Sequence, residues 1–450
     1  MSGRFELRIA DSLFAELDAE LRAGPRDSLE SERAGFLLCG VARLTDRSAL
    51  LARAWRPIPV ESRVTEPGYG LAWNAEFNAV ILDEADALHA VPVLVHRHAS
   101  GRDARLSRRD RRMGDPLIAS MSRLARGRLA ASVVLDDSTA AGILWRSGTA
   151  EAALGEARIV GTPIRGISPT SEPVARSRRR LHRQSLAIGP ASDAALSRAK
   201  VAIVGLSGGG SHVVQQLAHQ GIGTLIVIDD DIVEEENRGR LVGSHHDDDG
   251  RLKADVMERL IHSVDPTTKV LAVPCRSSHP DGIAALREAD VIVTCVDRFD
   301  VRAEIDTLAR RNLIPVIDIG MTLESDGERL RQANGQVVLA LPGAPCLRCT
   351  PLLSDAVLEA EARTAPPGYD RNPDAPGQPQ VVSMNGLLAS QAANLVLALV
   401  TGYLPADLLS NGGWWQYDAI QGQLDFTALS VRRPRCPGCA EEGHGDPWFA

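Results

Sequence analysis

The rhythm of apolar positions divides the chain. In the first 150 residues short apolar runs alternate with turns: GFLLCG at 35–40, VPVLVH at 91–96, ASVVLDD at 131–137 and AGILW at 141–145. Such runs predict an α+β domain with several strands. From about residue 180 the pattern changes. AKVAIVG (199–205), TLIVIDD (224–230), KVLAVP (269–274), DVIVTCVD (290–297) and IPVIDIG (314–320) are short apolar runs, and most are separated by segments of helical length and pattern. Strands without a polar face are covered on both sides, so this half predicts a parallel, doubly wound, Rossmann-like α/β sheet. Residues 151–178, rich in Pro, Ser, Gly and Arg, read as a linker. The expected division is therefore 1–150, a linker at 151–178, and a second domain at 179–450, with no internal repeat between the halves.

Composition changes this picture little. Hydrophobic residues make up 44% and charged residues 24%, as in an ordinary globular protein, while aromatics at 4% leave the interior to aliphatic side chains. A net charge of −8 argues against bulk nucleic-acid binding. The N-terminus shows no basic segment followed by an apolar run, and no unbroken apolar stretch of about 18 residues occurs. The expectation is no signal peptide, no membrane span and a cytoplasmic location. The cysteines matter more. Cys346 and Cys349 form one C-x-x-C pair and Cys436 and Cys439 another, whereas Cys39, Cys275 and Cys295 stand alone. Without an export signal, paired cysteines point to a metal rather than to disulfides, and tetrahedral Zn²⁺ takes four thiolates from two tight turns.

The second half carries a nucleotide-site pattern. After the run ending at Val204 come Gly205, Gly208, Gly209 and Gly210, leading into a helix-like HVVQQLAHQG at 212–221. Glycines let a backbone approach phosphate oxygens, and a helix N-terminus supplies N–H donors. Ser207 stands where a G-x-G-x-x-G pattern has its second glycine, so the turn alone is also compatible with a plain strand–helix connection. The next run ends in Asp229 and Asp231, placed for ribose hydroxyls. Asn237, Arg240 and Lys253 follow, and Asp297 closes DVIVTCVD. Arg240 and Lys253 suit a triphosphate and the charge that develops at its α-phosphate, and Asp297 suits Mg²⁺. A nicotinamide dehydrogenase shares the glycine turn and distal acid, yet it has no use for these cations or for the cysteine pairs. HHDDD at 245–249 reads as a solvated polar loop.

D-x-D-x-V-x-x-x-N-x-x-R at 229–240, G-x-x-K at 250–253 and C-x-D at 295–297 together resemble the ATP-binding set of the ThiF-type adenylyltransferases. That superfamily contains the ubiquitin-activating enzymes and the activators of sulfur-carrier proteins. The likeness covers roughly residues 180–440. It implies that Arg183, in R-L-H-R-Q at 180–184, reaches a partner subunit's site in a homodimer, and that the two cysteine pairs hold a structural zinc. It also implies adenylation of a carrier protein's C-terminal carboxylate with release of pyrophosphate. One departure stands out: many members pass the carrier to a loop cysteine, and residues 354–386 contain none. Ser383 lies near that place, and Cys275 and Cys295 remain as candidate thiols.

In the first half, His96 and His98 end the run VPVLV, and alternate strand residues face one side, so both imidazoles can reach one ion. Asp110 can complete three protein ligands and leave the fourth position to water, the arrangement of catalytic zinc. Ser107 lies one helical turn before Asp110, and Ser-Arg-Arg-Asp also reads as a capping box. Glu32, just before the first apolar run, is the candidate base. Glu, then H-x-H, then Ser-x-x-Asp resembles the JAB/JAMM (MPN-type) metallopeptidases, with one extra residue after the second histidine and Ala99 where proline is common. The resemblance implies zinc on His96, His98 and Asp110, general-base action by Glu32 and oxyanion support by Ser107. It further implies cleavage of amide or isopeptide bonds after a ubiquitin-like C-terminus. Ten arginines between Arg97 and Arg128 suggest either a solvated face or a groove for an acidic carrier.

Both halves thus point at one tail. The expected protein uses ATP, Mg²⁺ and two Zn²⁺, one catalytic and one structural. Its expected partner is a ubiquitin-like or sulfur-carrier protein, with a conjugating enzyme or a sulfurtransferase beyond it. A carrier-binding scaffold without turnover is the non-enzymatic alternative.

Overall fold

The computed structural model describes residues 3–22, 33–64, 72–97, 104–169, 178–364 and 379–447. The chain forms two compact units. One comprises Met1–Pro173 with Arg311–Leu313 and Glu442–Ala450, and the other Val174–Arg310 with Ile314–Glu441.

The first unit is built on eight strands: β1 (Gly3–Ala10), β2 (Ala34–Arg43), β3 (Ser48–Pro57), β4 (Val91–Arg97), β5 (Leu129–Leu135), β6 (Ala140–Arg146), β7 (Thr149–Val160) and β8 (Arg165–Ile167). Their order is β1-β3-β2-β4-β5-β6-β7-β8, and β1 also pairs in parallel with β7, so the sheet closes on itself. Helices α1 (Asp11–Arg22), α2 (Ala75–Ala87) and α3 (Arg108–Leu124) accompany it. Along β4, alternation sorts the side chains into two cores. Val93 and Val95 join Phe5, Leu7, Leu37 and Val133. Leu94 joins Phe36, Ile81, Ile118 and Met121 on the face covered by α2 and α3. His96 shares Leu94's face, whereas Arg97 points the other way and binds Asp18 of α1 at 3.0 Å.

The linker expected at 151–178 is overturned over its first part: β7 and β8 belong to the closed sheet. Their Ala and Gly residues conceal the buried–exposed alternation that a strand with larger side chains would display.

The second unit holds β9 (Lys200–Val204), β10 (Thr224–Ile228), β11 (Lys269–Val273), β12 (Val291–Thr294), β13 (Val316–Ser325), β14 (Leu330–Ala340), β15 (Gly413–Asp418) and β16 (Gln423–Ala428). The order is β11-β10-β9-β12-β13-β14-β15-β16. The first five run parallel, as expected for a doubly wound α/β sheet, and the last three add an antiparallel extension that the sequence pattern does not announce. The helices are α4 (His182–Ile188), α5 (Ala191–Arg198), α6 (Gly208–Gln220), α7 (Glu235–Arg238), α8 (Lys253–Val264), α9 (Pro280–Arg287), α10 (Phe299–Arg311), α11 (Asp355–Thr364), α12 (Val382–Thr401) and α13 (Pro437–Ala440). Strand order reverses between β9 and β12, and at such a switch point a crevice opens beyond the carboxyl ends of the strands.

Among the described residues α12, although interrupted by Asn385, Gln391 and Asn394, is long and apolar enough to cross a bilayer by length and composition. Leu388, Ala389, Ala392, Ala393, Val396 and Leu399 are buried as it packs on α6, β13 and β14, so its apolarity serves the core of this unit.

Candidate functional site

The crevice at the switch point is a cavity of about 2480 Å³, lined entirely by the second unit. Gly205 leaves β9 with φ of 85°, a conformation that suits glycine, and a Cβ there would lie 2.7 Å from the Cys295 carbonyl oxygen. Gly205, Ser207, Gly208 and Gly209 line the cavity. Gly210 does not. A Cβ on it would meet the Gly205 carbonyl oxygen at 1.8 Å, so Gly210 allows α6 to start close to the turn instead of facing a ligand.

Asp229, Asp230 and Asp231 leave β10 on the facing wall. Asp229 is a brace: one carboxylate oxygen accepts from the Leu206 amide at 2.6 Å and the other from the Asp231 amide at 2.9 Å. Burial pushes its carboxyl up, and Lys253 pulls it back. Asp231 accepts from Lys253 Nζ at 2.7 Å. Lys253 is only 2% exposed at the first position of α8. A buried ammonium without a partner costs several kcal/mol, and here the acidic run supplies the partner.

Asn237 and Arg240 also line the cavity, Arg240 beside Gly208, and Arg240 Nη1 donates to the Glu236 carbonyl oxygen at 3.0 Å. Asp297, just beyond β12, completes the expected set on the same cavity. Asn237 Oδ1 and Ser207 Oγ are both buried and, among the described residues, neither has a hydrogen-bond partner. These two atoms leave hydrogen-bonding capacity at the cavity for a polar ligand.

Further groups line the cavity that the sequence reading passed over. Asn385 on α12 lies where a Cβ on Gly208 would come within 2.5 Å of its Nδ2. Arg302 on α10 contacts Asp318 on β13 at 2.5 Å. Burial raises the Asp318 carboxyl while Arg302 and Thr294 pull it down. An asparagine in the apolar stretch of α12 and an aspartate inside the apolar IPVIDIG were the available signals. Arg183 does not line this cavity; it is exposed on α4.

The thiols sort clearly. Cys346 Sγ lies 3.8 Å from Cys349 Sγ and 3.5 Å from Cys436 Sγ, and Cys349 Sγ lies 3.6 Å from Cys439 Sγ. Tetrahedral Zn–S bonds of about 2.3 Å put neighbouring sulfurs ~3.8 Å apart, so the four sulfurs fit one such ion. The Arg433 amide donates to Cys349 Sγ at 3.3 Å, as thiolate sulfur invites. Cys295 and Cys275 also line the cavity, and burial pushes both thiols up, away from nucleophilic behaviour at neutral pH. HHDDD is a turn rather than a wholly solvated loop: Asp248 is fully buried and bound by Arg259 at 2.5 and 2.6 Å.

In the first unit, His96 Nε2 and Asp110 Oδ1 lie 3.3 Å apart. Two ligands on one tetrahedral zinc, with bonds of about 2.0–2.1 Å, stand ~3.4 Å apart, so the pair fits a common ion. Ser107 caps α3 and forms a full capping box with Asp110: its Oγ accepts from the Asp110 amide at 3.1 Å, and Asp110 Oδ2 accepts from the Ser107 amide at 2.6 Å. The box leaves Oδ1 for His96 and the serine proton for another acceptor, so capping and site chemistry are compatible. His98 and Glu32 lie outside the described residues.

The ThiF family profile matches residues 181–438. The chain is similar to a SAMP-activating enzyme E1 from Haloferax volcanii, 30% identical over 257 residues that span 57% of this chain and 86% of the relative. It is also similar to a sulfur carrier protein adenylyltransferase from Thermus thermophilus, 30% identical over 279 residues, 58% of this chain and 91% of the relative. Among solved structures, E. coli MccB with ATP aligns over 59% of this chain and 76% of its own, with 22% identity and a TM-score of 0.47.

Proposed function

The chain belongs to the ThiF family, and on that premise we propose that its second unit adenylates the C-terminal carboxylate of a ubiquitin-like protein. The observation that carries this reading is the convergence of the glycine turn, Asp231, Asn237, Arg240, Lys253 and Asp297 on one cavity that still holds unpartnered buried polar atoms. A carboxylate is already a nucleophile and needs no base. It attacks the α-phosphorus of ATP, a P–O bond forms, and the bond to pyrophosphate breaks. The protein's part is positioning and charge stabilisation. Arg240 and Lys253 neutralise the phosphates, and Asn237 supplies an amide. Asp297 would hold Mg²⁺, which supplies further charge neutralisation at the phosphates. Arg183, exposed on α4, would act in a partner subunit's site. The four cysteines would hold a structural zinc.

In the first unit, His96, His98 and Asp110 would hold a zinc that supplies Lewis-acid activation, with Glu32 taking the proton and Ser107 steadying the oxyanion. Its substrate is the same tail, freed from a precursor or a conjugate. Glu32→Ala should abolish cleavage with zinc retained, and cleavage at the wild-type rate by that variant sinks the peptidase assignment.

The second reading is activation and trimming of a sulfur carrier, favoured by the likeness to the Thermus thermophilus adenylyltransferase. In both readings the partly buried Cys295 and Cys275 form no thioester, and the acyl-adenylate passes to a partner's thiol or sulfur. ATP–pyrophosphate exchange driven by a Gly-Gly-ended carrier tests the proposal. Exchange that requires the free carboxylate supports it, and tight ATP binding without exchange replaces it with a carrier-binding scaffold.

A further inference from the structure

Arg302 grips two walls of the cavity at once. It is 5% exposed on α10, and Nε and Nη2 donate to the Val296 carbonyl oxygen at 3.0 and 2.8 Å. Nη1 donates to Asp318 Oδ2 at 2.5 Å, and Nη2 also reaches the Ile319 carbonyl oxygen at 3.2 Å. Val296 immediately precedes Asp297, and Ile319 belongs to β13, the strand paired beside β12. The opening for the guanidinium is specific: a Cβ on Gly320 would lie 2.8 Å from Nη2. On its far side, the Cys295–Val296 segment abuts the glycine turn, because Gly205 leaves space for the Cys295 carbonyl oxygen and the Cys295 amide donates to Val204 at 2.8 Å. The segment carrying Asp297 is thus clamped between turn and guanidinium.

α10 is fixed along its length. Glu361 accepts from the Phe299 and Asp300 amides at 3.0 and 2.8 Å, capping the helix N-terminus. One turn beyond Arg302, the fully buried Asp306 accepts from the Leu347 amide at 3.3 Å. One turn further, Arg310 donates to the Ala344 and Pro345 carbonyl oxygens at 2.9 and 2.8 Å. Charge on a buried helix face is a poor way to gain stability, since apolar residues of equal volume commonly serve as well or better. What a guanidinium adds is a planar fork that sets several acceptors in one geometry.

We propose that Arg302 is a positioning residue that ties the Val296 carbonyl to β13 and thereby aims the Asp297 carboxylate into the cavity. The inference rests on the adenylation reading for what Asp297 does there. Misplacement of a catalytic group by about 1 Å costs on the order of 10²-fold in rate.

The test uses the full chain with Arg302→Met and Asp318→Asn combined, so that no unpaired charge stays buried, and Arg302→Lys, which keeps charge without the fork. ATP binding is measured in EDTA and across a Mg²⁺ titration, and ATP–pyrophosphate exchange with a Gly-Gly-ended carrier. The double variant should bind ATP in EDTA within about threefold of wild type, need at least ~10-fold more Mg²⁺ for half-saturation, and lose about 10²-fold in kcat with little change in KM. Arg302→Lys should recover less than about a tenth of the lost rate, because a lysine cannot hold several acceptors in plane. Wild-type Mg²⁺ half-saturation and kcat in the double variant overturn the proposal, as does an equal loss of metal-free ATP binding, which would mark a merely structural role. If the double variant does not fold, Asp318→Asn alone carries the same readouts with a shift of about fivefold, and no shift overturns the proposal. Failure of the adenylation reading looks different: wild type itself then gives no exchange, and the Mg²⁺ titration decides on Arg302 alone.

Discussion

Two acidic runs in the second unit look alike on paper and differ in the structure. Asp229–Asp231 and His245–Asp249 each bring together acidic or imidazole groups close enough to share a cation. The first run leaves the end of β10 at the switch point, and its members face the cavity. There Asp229 braces the glycine turn, and Asp231 holds Lys253 inside the site. The second run closes a turn on itself: Asp248 Oδ2 accepts from the His245 amide at 2.7 Å, and both carboxylate oxygens bind Arg259. His245, His246, Asp247 and Asp249 point to solvent. The difference lies in the cation each run meets. Lys253 is buried against a cavity that a polyanion can enter, so its charge is available to a ligand. Arg259 is fully engaged by one carboxylate and the Gly243 carbonyl oxygen, so its charge is spent within the fold.

Perturbing the two runs should separate chemistry from stability. The largest effect belongs to Lys253→Met, which should reduce carrier-dependent ATP–pyrophosphate exchange about 10²–10³-fold, the range for removing one preorganised donor from developing charge. Loss of less than about threefold in kcat/KM would place Lys253 outside the chemistry. Next, Asp248→Ala should lower unfolding free energy by roughly 1.5–3 kcal/mol, the weight of charge-assisted hydrogen bonds, toward the lower end because Arg259 is itself 36% exposed. Exchange per folded molecule should stay the same. Urea unfolding supplies the first number, and an unchanged midpoint would show the turn to be indifferent to its ion pair.

The same pair has a pH signature. Hydrogen bonds from Arg259 hold the Asp248 carboxyl down to about 2 from the ordinary 3.8. A carboxyl whose folded pKa lies below its unfolded one adds stability above the unfolded value and loses it as pH falls through the folded one. Wild type should therefore lose stability more steeply than Asp248→Ala between about pH 4 and pH 2, and parallel curves would remove Asp248 from the acid transition. The smallest effect is Asp230→Asn. Its partner Arg276 is 63% exposed, so breaking that pair should change stability by less than about 1 kcal/mol, and a larger loss would mean Asp230 does more than meet Arg276.

Much of the second unit is legible in the sequence because its central parallel strands β9, β10 and β12 are buried on both faces. β9, β10 and β12 read as unbroken apolar runs, and the turns after them bring Gly205, Asp229 and Asp297 to one crevice. The antiparallel extension is not legible. Every residue of β16 is exposed, and polar positions interrupt β14, so neither shows an apolar run. Asn385 and Arg302 escape for another reason: they enter the site from helices, Asn385 from α12 far along the chain and Arg302 from α10 just after Asp297, and only the fold reveals which cavity they face. In the first unit Ala-rich β7 imitates a linker. Gly210 shows a further limit, since a glycine run tells that backbone comes close without telling whether to a ligand or to the neighbouring turn.

The central claim is that a peptide carboxylate is joined to the α-phosphorus of ATP in the cavity beyond β9, β10 and β12. Its most direct test is a pair of single-turnover reactions of the full chain with a Gly-Gly-ended carrier and ATP labelled at the α- or the γ-phosphorus. The account predicts that α-label appears on the carrier as an acyl-adenylate while γ-label leaves entirely in pyrophosphate. Label from the γ-phosphorus on the carrier, or no transfer of either label while ATP stays bound, contradicts it.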